Sequence, residues 1–190
     1  GRLSSPAMPT STAIRVDLIS DTAAHPTPGM RRAMAEAEVG DEQRGEDPCV
    51  NRLCERAAEL MGQEAALFVP SGTMCNHIAI ATHCRPGDEI IAAEDSHVIG
   101  TEGAGAAVFA GSFIRAIPCR RGIFSGEDVA AAVRPRRLKS PRSRLVEVEQ
   151  TSNRGGGSVW PLEAIRSVTD AARAHGLTLH MDGARLMNAA

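Results

Sequence analysis

The residues with the clearest chemical potential stand in one short segment, residues 180–185 (HMDGAR), at the end of an apolar run. An acid at the carboxyl end of a buried strand is costly to bury unless a cation lies close to it. The protonated ring nitrogen of a cofactor would be such a cation, whereas a simpler alternative is that Asp182 only caps the helix that follows. Arg185 comes three residues later and could bind a carboxylate with both ends of its guanidinium group.

A second candidate is the turn at residues 71–74 (SGTM), which leads from an apolar run into a helical pattern. The free backbone amides at the start of a helix, together with the helix dipole, form a cradle for phosphate. Gly72 would let the anion approach closely, and Thr73 could add its hydroxyl. The turn lacks the lysine of a P-loop and the full glycine pattern of a dinucleotide site, so an ordinary capped helix remains the alternative.

Two further segments follow apolar runs in the same way. His97 comes after residues 89–93 (EIIAA), and an imidazole there could stack on a flat cofactor or exchange a proton near neutral pH. In a loop it could equally be an exposed residue without a function. Residues 151–157 (TSNRGGG) could let the backbone approach a ligand, or they could form a flexible loop.

The elements that must position these residues alternate along the chain from about residue 47 onward. Strands are predicted at residues 65–69, 89–93, 113–118, 144–150 and 177–182. Helices are predicted at residues 48–61, from the turn at 70–73 to about residue 84, and at 100–107, 126–133, 161–175 and 183–190. Strands joined by helices pair mainly in parallel and are covered on both faces, which predicts an α/β fold. Ligands bind such sheets at the carboxyl ends of the strands, where all the candidate segments are expected to meet.

Composition narrows the class of protein. The 190 residues are 43% hydrophobic and 23% charged, and the net charge of −2 gives no overall attraction to nucleic acid. No apolar run approaches the roughly 20 residues that a membrane span needs. Five cysteines without a CxxC pair suit the reducing cytoplasm. Residues 1–15 lack the apolar centre of a signal peptide and are predicted to be a flexible leader.

Two clusters invite other interpretations. The first contains two cysteines and two histidines whose spacing matches no zinc pattern, so no metal site is predicted from Cys75, His77, His83 and Cys84. The second is a basic stretch at residues 134–144 (RPRRLKSPRSR), which lacks the interleaved aromatic residues of a nucleic-acid site and is predicted to be a solvated connection or a subunit contact.

Taken together, these segments resemble the L-threonine aldolases of the β-eliminating lyase family. Residues 16–22 (VDLISDT) are similar to the family's N-terminal DLRSDT motif, and residues 64–74 (EAALFVPSGTM) match around the phosphate turn. Further matches follow in the family's order at residues 26–31, 39–41, 45–48, 95–97 (DSH), 134–136 and 180–185. The resemblance runs from about residue 16 to the end of the sequence.

The resemblance implies a fold and a set of roles. The fold would be the three-layer αβα large domain of the fold-type I, pyridoxal 5'-phosphate (PLP) dependent transferase-like enzymes, with residues 16–190 as its N-terminal part and its C-terminus incomplete. Gly72 and Thr73 would bind the phosphate of PLP, His97 would stack on its ring, and Asp182 would pair with the ring nitrogen. Ser20 and Arg185 would help to hold the carboxylate of the substrate.

The implied reaction is the cleavage of a β-hydroxy-α-amino acid, such as threonine, to glycine and an aldehyde, with His97 taking part in the proton transfer. The alternatives are a related PLP-dependent β-eliminating lyase or an aminotransferase. The implied assembly is a homodimer or homotetramer in the cytoplasm. In the family the lysine that binds PLP covalently comes after the motif at residues 180–185, so these 190 residues alone are expected to be an inactive fragment.

The chain also departs from the family pattern. Arg44 stands where the family has an active-site tyrosine, and Lys139 and Ser152 stand near positions where it often has histidines. These exchanges put cations and small polar groups on the expected substrate side, which would suit a polar or acidic β-substituent. Lys139 is the chain's one lysine, but it precedes Asp182 and is not expected to replace the cofactor lysine.

Overall fold

The computed structural model describes residues 16–190, so the leader predicted at residues 1–15 lies outside the described residues. The chain divides into two compact units, of which the first ends at Phe68 and the second runs from Val69 to Ala190. Within the described residues, no helix is both long and apolar enough to cross a lipid bilayer.

The first unit consists of helices and turns. It contains α1 (Pro28–Ala35), α2 (Pro48–Met61) and two 3-10 turns at Asp21–Ala23 and Glu42–Arg44. Asp47 caps α2, because its Oδ1 accepts hydrogen bonds from the backbone amides of Cys49 and Val50, both at 2.9 Å. Gly62 ends the helix in the left-handed conformation. Both ends of α2 therefore agree with the sequence-based prediction.

The second unit contains a parallel sheet. Its helices are α3 (Gly72–His83), α4 (His97–Gly100), α5 (Gly105–Ala110), α6 (Gly126–Ala132), α7 (Leu162–Ala174) and α8 (Leu186–Ala189). Its strands are β1 (Asp88–Ala93), β2 (Phe113–Ile117), β3 (Arg142–Glu149) and β4 (Thr178–Asp182). The four strands pair in parallel in the order β2-β1-β3-β4.

Helices cover both faces of this sheet, which confirms the three-layer αβα prediction. On one face, Leu145 of β3 packs in a cluster with Ile80 of α3 and Ala106 of α5. On the other face, Val146 of β3 packs in a cluster with side chains of α6 and α7, including Val168. Successive residues of a strand point to opposite faces, so Glu147 and Glu149 lie on the same face as Leu145, beside α3 and α5.

Two predicted elements were wrong. Residues 65–69 form no strand, because their backbone pairs with no neighbour among the described residues and their side chains are largely exposed. The helix predicted at residues 100–107 is divided into α4 and α5. Gly103 and Ala104 break it with positive φ angles of 58° and 59°, which a right-handed helix cannot contain.

Candidate active site

The parallel sheet brings three of the predicted segments to one edge. β1 ends at Ala93, four residues before His97, and β3 ends at Glu149, directly before the segment with the glycine run. Glu149 and Asp182 are register partners at the ends of β3 and β4. The prediction that these segments meet at the carboxyl edge of the sheet is therefore confirmed.

Asp182 is held at this edge as a buried carboxylate. It is 8% exposed, its Oδ2 accepts a hydrogen bond from Asn76 Nδ2 at 2.9 Å, and its Oδ1 accepts one from the Ala184 amide at 3.0 Å. The N-cap residue of α8 is Arg185, so Asp182 does not serve as the cap of that helix. Each carboxylate oxygen can accept a second hydrogen bond, which leaves Asp182 able to bind a further donor.

Asn76 is the link between helix α3 and the sheet. Its Nδ2 donates to Asp182 and also to Glu102 Oε1 at 2.7 Å, which fixes the orientation of the amide. Its Oδ1 must then be an acceptor, so His180 Nε2, 2.9 Å away, carries the proton that it donates. Burial lowers the pKa of His180, which agrees with a neutral imidazole in this position.

Glu102 connects Asn76 to the predicted stacking residue, His97. The Nδ1 atom of His97 lies 2.7 Å from Glu102 Oε1. Glu102 Oε2 lies 3.4 Å from Nε2 of His77, within ion-pair distance but outside hydrogen-bond alignment. The Glu102 side chain is 1% exposed, so this carboxylate depends on its nitrogen neighbours and not on water.

Two more carboxyl groups lie beneath the site, on β3. Glu149 accepts hydrogen bonds from the backbone amides of His97 and Asn153, both at 3.1 Å, and thereby fixes the turn that carries His97. Burial nevertheless raises the pKa of Glu149, because it disfavours the charged form more than the two amides favour it. Glu147 is 1% exposed, and neither of its side-chain oxygens has a hydrogen-bond partner in the described chain. Burial raises the pKa of Glu147 well above its usual range.

The predicted phosphate cradle lies at the start of α3. The hydroxyl of Ser71 accepts a hydrogen bond from the Met74 amide at 3.2 Å, and the Ser71 carbonyl accepts one from the Cys75 amide. The amides of Gly72 and Thr73 have no acceptor among the described residues. A Cβ atom at Gly72 would meet nothing within 4 Å, so the space beside these amides is open.

The cradle and Asp182 belong to one site because α3 joins them. Asn76, which binds Asp182, lies four residues after Gly72 and therefore on the same face of α3, about 6 Å further along the axis. The groups present fit PLP: helix-start amides suit its phosphate, and a buried carboxylate suits the protonated nitrogen of its ring. PLP is thus a cofactor that Gly72, Thr73 and Asp182 could hold together.

The other predicted site residues have different positions. Arg185 follows β4, and its amide donates to the Gln150 carbonyl at 3.3 Å, which ties the two strand ends together. Ser20 belongs to the first unit, where its hydroxyl lies 2.7 Å from that of Thr22 and caps a 3-10 turn. Its role in substrate binding stays a prediction. Arg44 is also in the first unit, exposed and 3.6 Å from Asp41.

Lys139 and Ser152 are not placed as the family comparison suggested. Lys139 is exposed and lies before the start of β3, whereas Asp182 is the register partner of Glu149 at the opposite end of that strand. This position agrees with the prediction that Lys139 is not the cofactor lysine. Ser152 is 1% exposed, and its hydroxyl accepts a hydrogen bond from the Gly155 amide, so its own turn uses it.

A metal site is the other interpretation of this cluster. His97, Glu102 and Asp182 each offer one atom, and these atoms lie within 4.8 Å of one another. The carboxylates are, however, already joined by the Asn76 amide, whose donors bind one oxygen of each. These side chains therefore already bind one another through hydrogen bonds, and we assign no metal to the cluster.

Sequence reasoning missed four polar residues of this site. Glu147 and Glu149 alternate with valines in a buried strand, so the two carboxyl groups lie on one face of it. Asn76 stands beside His77 in the middle of α3, and Glu102 follows His97 by five positions. The partners of Asn76 lie 26 and 106 residues away and left no local signal.

The second unit is a parallel α/β unit with an open helix start and a buried acid, and comparison with known sequences assigns its family. Residues 17–190 match the family described as beta-eliminating lyase, and the chain belongs to this family. The low specificity L-threonine aldolase of Escherichia coli is 39% identical over 92% of this chain and 52% of its own length. A probable low-specificity L-threonine aldolase of Arabidopsis thaliana is 44% identical over 96% of this chain and 53% of its own length.

Solved structures agree with this assignment. The threonine aldolase of Leishmania major superposes with a TM-score of 0.71 and 26% identity, over 84% of this chain and 46% of that one. A structure from Listeria monocytogenes, titled a putative L-allo-threonine aldolase, shares the fold with a TM-score of 0.57. The chain spans about half the length of the curated relatives it matches.

Proposed function

We propose that the protein is a PLP-dependent aldolase that cleaves a β-hydroxy-α-amino acid, threonine or a relative of it, to glycine and an aldehyde. The observation that carries the proposal is the hydrogen bond between Asn76 and Asp182, which unites the open helix start at Gly72 with a buried carboxylate. The two relatives described above are named as low-specificity L-threonine aldolases, which supports the choice of reaction.

Each residue has a defined task in this proposal. When bound, PLP supplies an electron sink for the electron pair left when the Cα–Cβ bond breaks. The amides of Gly72 and Thr73 bind the phosphate, and the Asp182 carboxylate accepts a hydrogen bond from the ring nitrogen. His97 moves a proton at Nε2, because its Nδ1 is engaged by Glu102. Arg185 binds the carboxylate of the amino acid.

The test is product analysis with the full-length protein and PLP. Threonine, allo-threonine and phenylserine are supplied in turn, and glycine and aldehyde are measured. Glycine release supports the aldolase. Absence of glycine from all three substrates would refute it, and keto acid with ammonia, or amino transfer to a keto acid, would assign the related lyase or aminotransferase instead.

The role of Asp182 is tested by cofactor binding. Asp182→Asn keeps the shape of the side chain but loses its charge, and a hydrogen bond to a charged group contributes about 1.5–3 kcal/mol. We expect PLP affinity to fall about 10- to 100-fold, measured by titration of its absorbance band. The matched control is Asp170→Asn on the exposed side of α7, which should leave the affinity unchanged.

We also propose that the protein assembles as a homodimer or homotetramer. In support, α5 exposes Val108 and Phe109, at 68% and 62%, beside an apolar groove of about 470 Å³ that includes Met74 and Ile78. Exposed apolar patches of this kind mark association surfaces. Sedimentation velocity of the full-length protein measures the assembly directly, and a monomer at micromolar concentration would contradict it.

A further inference from the structure

Glu102 is a buried carboxylate with an unusual set of neighbours. Its side chain is 1% exposed, and it lies in the short connection between α4 and α5. Oε1 is 2.7 Å from His97 Nδ1 and 2.7 Å from Asn76 Nδ2, while Oε2 is 3.4 Å from His77 Nε2. A buried carboxylate requires donors to offset its lost hydration. The two hydrogen-bonded nitrogens and the third, which lies only at ion-pair distance, all belong to the candidate site.

The contact with Glu102 decides which nitrogen of His97 carries the proton. A carboxylate accepts hydrogen bonds, so the nearby Nδ1 must be the protonated atom, and Nε2 of a neutral ring is then a free base. Nε2 has no hydrogen-bond partner among the described residues, and the His97 side chain is 31% exposed. The nitrogen of His97 that can accept a proton is therefore the one that does not contact Glu102.

The backbone is bent to hold Glu102 in this place. Gly103 and Ala104, which follow it, have φ angles of 58° and 59°. For alanine this left-handed conformation costs about 1–2 kcal/mol. Gly105 allows the close packing that follows, because a Cβ atom there would lie 1.9 Å from His77 Nε2. Local strain of this kind persists where a functional geometry depends on it.

We propose that Glu102 is a positioning residue for the aldolase reaction, which fixes the tautomer and ring orientation of His97 so that Nε2 exchanges the substrate proton. The inference rests on the proposed function, because it concerns the same site. Other titratable groups face Glu102 from the elements packed around it. They are Glu147 and Glu149 on β3, His180 and Asp182 on β4, and His77 on α3.

A double-mutant cycle in the full-length PLP enzyme separates this role from a structural one. Glu102→Gln keeps the size of the side chain and an acceptor oxygen but removes the charge. We expect kcat to fall about 10- to 100-fold with little change in KM, as when a residue that orients a catalytic group is lost. In a His97→Ala background the same substitution should cause no further loss, because Glu102 acts through His97.

The control is Glu89→Gln, since Glu89 is an equally buried carboxyl group that binds Arg134 and Ser143 away from this site. Glu89→Gln measures the general effect of losing a buried charge. The factor by which it lowers kcat should be the same whether His97 is present or replaced by alanine. Additive losses for Glu102→Gln and His97→Ala would overturn the inference. So would a Glu102→Gln enzyme with the wild-type kcat.

A second measurement needs no activity. Nitrogen-15 chemical shifts of histidine in the full-length protein without PLP distinguish the two tautomers of His97, assigned with the His97→Ala variant. We expect the Nδ1–H tautomer in the wild type and a mixture in Glu102→Gln, because the glutamine amide can both donate and accept. A wild-type ring protonated at Nε2 would overturn the inference even if Glu102→Gln does not fold. If no substrate yields glycine, the proposed reaction fails while this result still decides the Glu102–His97 contact.

Discussion

We expect the free energy of unfolding of Glu147→Gln, relative to that of the wild type, to increase as the pH rises. Glu147 lies on β3 with 1% exposure, and its two oxygens have no hydrogen-bond partner in the described residues. Burial is the main cause of its raised pKa, followed by the negative charges of Glu149, Asp182 and Glu102. Glutamine has nearly the same shape and carries no ionisable proton, so the substitution removes the titration and little else.

The size of the effect follows from proton linkage. The unfolded chain releases the Glu147 proton near pH 4.3, whereas the folded chain keeps it to a higher pH, so folding takes up one proton between these two values. The free energy of unfolding therefore falls by about 1.4 kcal/mol for each pH unit above about 4.3, until the raised pKa of Glu147 is passed. The free energy of unfolding of Glu147→Gln should not show this decline. The difference in stability between the variant and the wild type therefore grows by about 1.4 kcal/mol for each pH unit.

Urea unfolding at a series of pH values measures this difference. Trp160, the chain's one tryptophan, is 3% exposed and packs edge-on against Phe124, so its fluorescence follows the second unit. Glu89→Gln is the contrasting control, because it breaks the ion pair between the buried Glu89 carboxylate and the partly exposed Arg134, and it should lower the free energy of unfolding by about 2 kcal/mol at neutral pH. Parallel pH curves for the wild type and Glu147→Gln would refute the argument. Infrared difference spectra should show a protonated carboxyl band that this substitution removes.

Three further substitutions or reactions test the site and the core. Gly72→Ala should weaken PLP binding about tenfold or more without loss of stability, because its methyl group would enter the open space at the helix start; titration and thermal melting measure the two effects. Asn76→Asp should lower the free energy of unfolding by about 3 kcal/mol, because a third carboxylate would stand between Glu102 and Asp182. Urea unfolding measures this loss. Burial raises the pKa of the Cys84 thiol to about 11, so mass spectrometry should find it unalkylated in native protein at pH 8.

Patterns of short range were sufficient to predict much of the fold. Four of the five predicted strands form within two residues of their expected bounds, because apolar runs and turn residues define a strand locally. Asp47 and Gly62 identified both ends of α2 for the same reason. The failure at residues 65–69 has the opposite cause. A segment becomes a β-strand only when its backbone pairs with an adjacent strand, and apolar composition does not show whether such a partner strand is present.

The candidate site was predictable only in part. Asp182, His97 and Gly72 follow apolar runs, and the rule for parallel sheets brings such positions to one edge. Asn76, which holds Asp182, was not predictable, because its hydrogen-bond partners are distant in sequence. The resemblance to the family also placed Ser152 on the substrate side, whereas its hydroxyl accepts a hydrogen bond within its own turn.

The contacts of Asn76 have a consequence for the order in which the protein folds. Its hydrogen bonds to Asp182 and His180 span 106 and 104 residues of sequence. Closing loops of this length costs entropy before any contact is gained, and parallel sheets therefore form slowly. A nascent chain with its helices formed but β4 undocked does not yet have the Asp182 carboxylate beside Asn76. The site could thus bind a ligand only after β4 has docked. A bound ligand would then shift the equilibrium from late folding intermediates toward the native state.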